Sequence, residues 1–120
     1  MILQLDTNIC IYLLKGILRD PLPEAEYCIS VITRMELLSF SLPGQTEEEL
    51  LREFLKELKI IPLDEAVQEQ AIALRKTYSI KLPDAIIAAT ALTRRAVLAS
   101  NDRDLSKILE LNVMPMALLS

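Results

Sequence analysis

A chain of 120 residues with net charge −4 and no histidine excludes a broad set of chemistries at once. Ser-His-Asp and Cys-His nucleophiles are impossible, as is His-His acid–base cleavage of RNA. Two glycines cannot build a GxGxxG or GxxxxGK[ST] phosphate loop, and two cysteines without His cannot complete a structural zinc site.

The apolar content is 52% with only 4% aromatics. Leu, Ile and Ala dominate, which suits helices packed on a buried sheet and fits a single domain over residues 1–120. No apolar stretch reaches the ~18 residues of a membrane span. Met1 to Asp6 has no basic segment or cleavage site of a signal peptide, so a cytoplasmic protein with no membrane role is expected. Cys10 and Cys28 lie in apolar runs and read as buried free thiols.

In chain order, Ile2 to Leu5 reads as a short buried strand, followed by a helix from Thr7 to about Leu18 and a break at Asp20-Pro21-Leu22-Pro23. Tyr27 to Val31 is β-leaning. Thr33-Arg34-Met35-Glu36 has the form of a capping box and predicts a helix to about Phe40. Ser41 to Gln45 reads as a loop. Thr46 then caps a helix opening on Glu47, Glu48 and Glu49 and carrying Leu50, Leu51, Phe54, Leu55 and Leu58. Lys59 to Leu63 is a short strand, and Asp64 caps a helix over 65–78 with Ala66, Val67, Ala71, Leu74 and Tyr78 inward. Pro83 sits in the first turn of a helix over 84–95 that is apolar nearly all round and so buried. Ala96 to Ala99 is a strand, 102–111 a helix and Val113 to Met116 a last edge strand, where Pro115 is tolerable. Short apolar strands alternating with helices predict a three-layer α/β/α sandwich around a mostly parallel sheet of four to five strands.

Four acidic clusters punctuate this pattern: Asp6, Glu36, Asp84, and Asp102 with Asp104. Singly, each reads most simply as a helix cap or a first-turn carboxylate, worth roughly 0.5–2 kcal/mol. Together they imply more. Asp6 and Asp102 each follow a strand and Glu36 lies just inside the helix after another, so these share one sheet edge, and Asp84 joins them if its helix begins there. Ligands in such sheets sit outside the carboxyl ends of the strands. Two carboxylates about 4 Å apart repel by ~4 kcal/mol at an effective dielectric of 20, so a cluster binds a cation or protonates in part. Oxygen-only ligands favour Mg²⁺ or Mn²⁺, which suits water activation and phosphoryl displacement. Thr7, Asn8, Ser100 and Asn101 flank the acids and could orient them or hold water; turn and cap roles weigh about equally for Thr7 and Ser100. Arg34 and Arg103 are candidate contacts to substrate phosphates, against a plain reading as surface charge.

The segments Leu5-Asp6-Thr7-Asn8, Ser30 to Leu38, Leu82 to Ala91 and Leu98 to Leu105, in this order, resemble the PIN domain over essentially the whole chain, and within it the VapC-type toxins of toxin–antitoxin pairs. The resemblance implies a Mg²⁺- or Mn²⁺-dependent endoribonuclease with Asp6, Glu36, Asp84 and Asp102 as its acidic set, a cognate antitoxin and a homodimer. The last motif departs from the family: Ser100 and Leu105 stand where relatives usually carry Thr and Phe. Asp102 is favoured as the fourth acid over Asp104. Two other classes remain: a PIN-like binding module that cleaves nothing, and a metal-dependent nuclease acting on DNA or in RNA processing. Leu-rich helices around Ile11 to Leu18 and Leu50 to Leu58 carry apolar surface in excess of what the core needs, consistent with the expected protein partners.

Overall fold

The computed structural model describes residues 1–39 and 44–120. Five strands, β1 (Ile2–Leu5), β2 (Glu26–Ser30), β3 (Lys59–Ile61), β4 (Val97–Ala99) and β5 (Val113–Met114), form one sheet in the order β3-β2-β1-β4-β5. Every pair is parallel. The helices are α1 (Thr7–Leu14), α2 (Val31–Ser39), α3 (Gln45–Lys56), α4 (Glu65–Thr77), α5 (Leu82–Arg94) and α6 (Arg103–Ser106).

The core divides in two because successive strand residues point to opposite faces. Leu3, Leu5, Ile29 and Ala99 join Ile9, Cys10, Leu37, Leu51 and Leu55 in one cluster. Leu98 joins Val67, Ala71, Leu74 and the Ala-rich face of α5 in the other. Both faces of the sheet are thus covered, as a parallel sheet requires. Both cysteines are free and buried.

Chain direction across the sheet decides where a ligand can sit. From β1 the chain builds outward through β2 to β3, then returns through α4 and α5 to place β4 on the other side of β1. The strand order reverses between β1 and β4, and the crevice beyond their carboxyl ends is the expected ligand position. Asp6 follows β1 there and Ser100 follows β4.

Several boundaries differ from the sequence reading. Helix α1 stops at Leu14, not near Leu18: Gly16 adopts a left-handed φ of 69°, and the chain beyond pairs with the C-terminal tail through the Leu18–Leu118 bridge. Helix α2 begins at Val31, with Ser30 Oγ accepting from the Ile32 N–H, so Thr33 lies inside the helix and no capping box forms. Glu36 is therefore not tied to a cap. Likewise Thr46 lies within α3, whose N-cap is Gly44. The helix expected over 102–111 is only four residues long. Beyond it the chain winds with three-residue bonds from Ile108 N to Leu105 O and Leu111 N to Ile108 O, because the three apolar side chains to be buried are spaced by three. Ala66 is exposed, on the solvent side of α4. The expected end of the second helix near Phe40 and the loop over 41–43 lie outside the described residues.

Candidate metal centre

Each acid reaches the crevice by a different local device. Asp6 is the N-cap of α1, and its Oδ1 accepts from the Ile9 N–H at 2.8 Å. Its own N–H donates to Ala99 O at 3.2 Å, fastening the end of β1 to the end of β4. It is only 5% exposed. Asp84 lies in the first turn of α5 behind Pro83, which presets the helical φ where no N–H partner is needed. Asp102 caps α6, its Oδ1 accepting from the Asp104 N–H at 2.8 Å. Glu36 projects from the second turn of α2, where the Thr7 hydroxyl donates to its Oε1 at 2.6 Å.

The carboxylates sense one another. Burial raises the Asp6 pKa; hydrogen bonds from Ser100 and Ile9 work against this, and the charges of Asp102 and Glu36 add to it. Asp84 is raised by burial and then by Asp102 and Glu36, with Lys81 opposing and Asp104 adding last. The beginning of α5 therefore lies at the same edge as the other three acids. Asp102 acts on both Asp6 and Asp84, whereas Asp104 is exposed, acts on Asp84 alone, and lies 3.6 Å from Lys107 Nζ. Of the two, Asp102 is the one inside the cluster.

The flanking polar residues divide by what they touch. Ser100 is buried, and its Oγ accepts from the Asp102 N–H at 3.1 Å while it bonds to Asp6, linking two acids. Thr7 joins Glu36 to Thr33, whose hydroxyl is 3.1 Å away. Asn101 is engaged elsewhere: its amide donates to Met116 O and accepts from Met116 N, both at 2.8 Å, latching the chain after β5. Asn8 is exposed at the start of α1. Arg103 is exposed and lines an open cleft of about 460 Å³ beside Asp102, with Asn112, Val113 and Pro115. Arg34 does not join the acids. Two residues from Glu36, it stands about 200° round the helix and lines a separate groove with Arg52, Lys56 and Leu58.

Two contributors escaped the sequence reading. Thr33 was visible only as a cap; its spacing of three from Glu36 on one helix face was the available signal. Lys81, two residues before Pro83, opposes the upward shift of Asp84 by its charge.

The donor set fits a hard divalent cation. All four groups offer oxygen, they repel one another, and among the described residues none of Asp6, Glu36, Asp84 and Asp102 is in an ion pair. No three acidic or sulfur side chains among the described residues form a ready-made cage.

Known proteins share this fold. The PIN domain family model matches residues 4–111. The chain belongs to the PIN-domain family. Solved structures place this PIN domain with the VapC type. A chain of VapBC2 from Rickettsia felis, bound to a DNA fragment from their promoter, aligns with TM-score 0.81 and 26% identity, covering 96% of this PIN domain and 98% of that chain. A toxin-antitoxin complex from Klebsiella pneumoniae gives 0.76 and 34%, covering 93% and 95%. VapBC-1 from nontypeable Haemophilus influenzae gives 0.81 and 25%, covering 96% and 98%. No curated protein matches the sequence. No helix among the described residues is long and apolar enough to cross a membrane.

Proposed function

We propose that this PIN domain is a Mg²⁺- or Mn²⁺-dependent endoribonuclease and the toxin of a toxin–antitoxin pair, acting in the cytoplasm. The observation that carries the reading is that Asp102 and Glu36 each act by charge on both Asp6 and Asp84 at the switch point of the sheet. Asp6, Glu36 and Asp84 would hold the cation, with Asp102 completing the set and Asp104 at its margin. Bound there, the cation would supply Lewis-acid chemistry, acidifying water and offsetting charge on a phosphodiester. Ser100 and Thr7 keep Asp6, Asp102 and Glu36 aimed at the crevice. Arg103 lies on the open side, where an RNA backbone would approach. The alignment with toxin-antitoxin complexes supports a cognate antitoxin as partner. Leu14 on α1 and Leu50 on α3, both exposed large apolar side chains, support contact with that antitoxin or a second copy of the chain.

Asp84→Asn tests the assignment. The substitution keeps size and a first-turn polar group but removes a ligand charge, so Mn²⁺-dependent cleavage of single-stranded RNA should be lost while circular dichroism remains that of the parent. A folded variant that cuts RNA as fast as the parent sinks the site. A parent that cuts single-stranded DNA and leaves RNA intact moves the substrate to DNA.

Thr7→Val removes the only donor that Glu36 Oε1 receives among the described residues, without changing side-chain shape. Loss of such an orienting partner weakens metal sites by about 10–100-fold. Calorimetric titration with Mn²⁺ should show a drop in that range; an unchanged affinity means Glu36 needs no orientation.

A further inference from the structure

Gln4 is a polar residue at the middle of the central strand, paired in register with Cys28 on one side and Leu98 on the other. It is fully buried. Its Nε2 donates to the Ile87 carbonyl of α5 at 2.9 Å, joining positions 83 apart in sequence. Its Oε1 has no protein partner among the described residues. A buried acceptor left unpaired is unfavourable, and an apolar side chain of the same length would avoid it. Fold stability alone therefore does not account for a glutamine here.

Its two ends explain it better. Gln4 precedes Asp6 by two residues, and Asp6, just past the end of β1, keeps an extended backbone, so the two stem from the same side of the sheet. Ile87 follows Asp84 by three residues, one turn along the same side of α5. The bond thus couples the two elements that carry Asp6 and Asp84, one step back from each acid. Packing by itself fixes this spacing poorly. The buried residues of α5 are Ala85, Ile86, Ile87, Ala88, Ala89, Thr90 and Ala91, four of the seven being alanines. Alanine side chains offer little to interlock and apolar contact is not directional, so the alanines do little to hold the helix against sliding and Ile86 and Ile87 carry the rest of the packing. A hydrogen bond is directional, and a carbonyl with two lone pairs accepts it without giving up its helical partner.

We propose that Gln4 is a positioning residue, whose bond to Ile87 sets the depth of α5 against β1 and with it the separation of Asp84 from Asp6. The inference rests on the reading of these acids as cation ligands. Gln4→Met keeps length and removes both polar atoms. The expected variant melts at or above the parent temperature, binds Mn²⁺ about 10-fold more weakly, and loses kcat for RNA cleavage with KM unchanged. Parental Mn²⁺ affinity and kcat in the variant overturn the proposal, and so does a variant that fails to fold, which would assign Gln4 to stability. A parent that binds no Mn²⁺ overturns the metal reading instead. Gln4 is then judged on metal-free protein by amide NMR. Shifts at Asp6 and across 84–87 support positioning; signals unchanged at both acids overturn it.

Discussion

Asp6→Asn is expected to raise the melting temperature at pH 7 while lowering metal-dependent RNA cleavage by about 10²-fold or more. The two effects share one cause. Asp6 is buried at a sheet edge where desolvation, Asp102 and Glu36 all disfavour its charge, against the hydrogen bonds from Ser100 and Ile9. Its folded pKa lies above the ordinary aspartate value. A carboxyl raised in this way binds its proton more tightly when folded than when unfolded. The stability it contributes is complete below its unfolded pKa and is lost as pH rises through the folded one. At pH 7 the ionised group therefore stands as a cost. Asparagine removes the charge but keeps an oxygen for the Ile9 N–H, and it caps helices as well as aspartate does. Relief of this cost should raise the melting temperature, each kcal/mol relieved being worth roughly 3–5 °C in a domain of this size. Melting in EDTA at pH 7 and again below about pH 4 checks the sign: the variant's advantage should shrink to nothing in acid. A variant less stable than the parent at pH 7 would mean that Asp6 holds the fold as a charged cap and is not strained by its neighbours.

Leu98→Ala should be the most damaging single truncation. Leu98 is fully buried at the centre of β4, packed against α5 and bonded through its N–H to Asn112 O at 2.8 Å. Leu-to-Ala changes at such sites cost about 2–5 kcal/mol, because lost transfer energy is compounded by a cavity that rigid neighbours cannot fill. Two of those neighbours are sheet strands and the third a helix, so collapse is restricted. Against a net stability of roughly 5–15 kcal/mol, the urea midpoint should fall by about a third or more. A loss below about 1 kcal/mol would show that β4 can settle toward α5. The same strand leads into Ser100 and Asp102, so cation binding to the folded state should restore part of the loss by mass action.

Much of the fold is legible in the sequence. Hydrophobic runs of four or five residues alternating with helical patterns imply the parallel sheet, because only helical crossovers can connect parallel strands. Asp64 and Pro83 mark their helices correctly, since a side-chain acceptor or a fixed φ acts within one turn. Local signals mislead where a distant partner prevails. The stretch from Lys15 to Leu18 reads as helical by composition, yet the Leu119 N–H of the tail donates to Ile17 O and α1 ends early. The T-x-x-E pattern at Thr33 is real as a string, but Ser30 has already started the helix.

For the acids, the sequence by itself determined which residue types could do chemistry and that each stood beside a strand end or helix start. With no histidine, four acidic clusters and the motif order, it also carried the likeness to the PIN family. Only the tertiary structure decided who meets whom. Asp102 rather than Asp104 reaches Asp6, Arg34 turns away, Asn101 serves the tail, and Gln4 ties the strand of Asp6 to the helix of Asp84. The reason is range. Capping and periodicity act over three or four residues, whereas the Gln4–Ile87 bond joins positions 83 apart and the charge of Asp102 reaches Asp6 from still farther along the chain, and only the folded sheet brings those together.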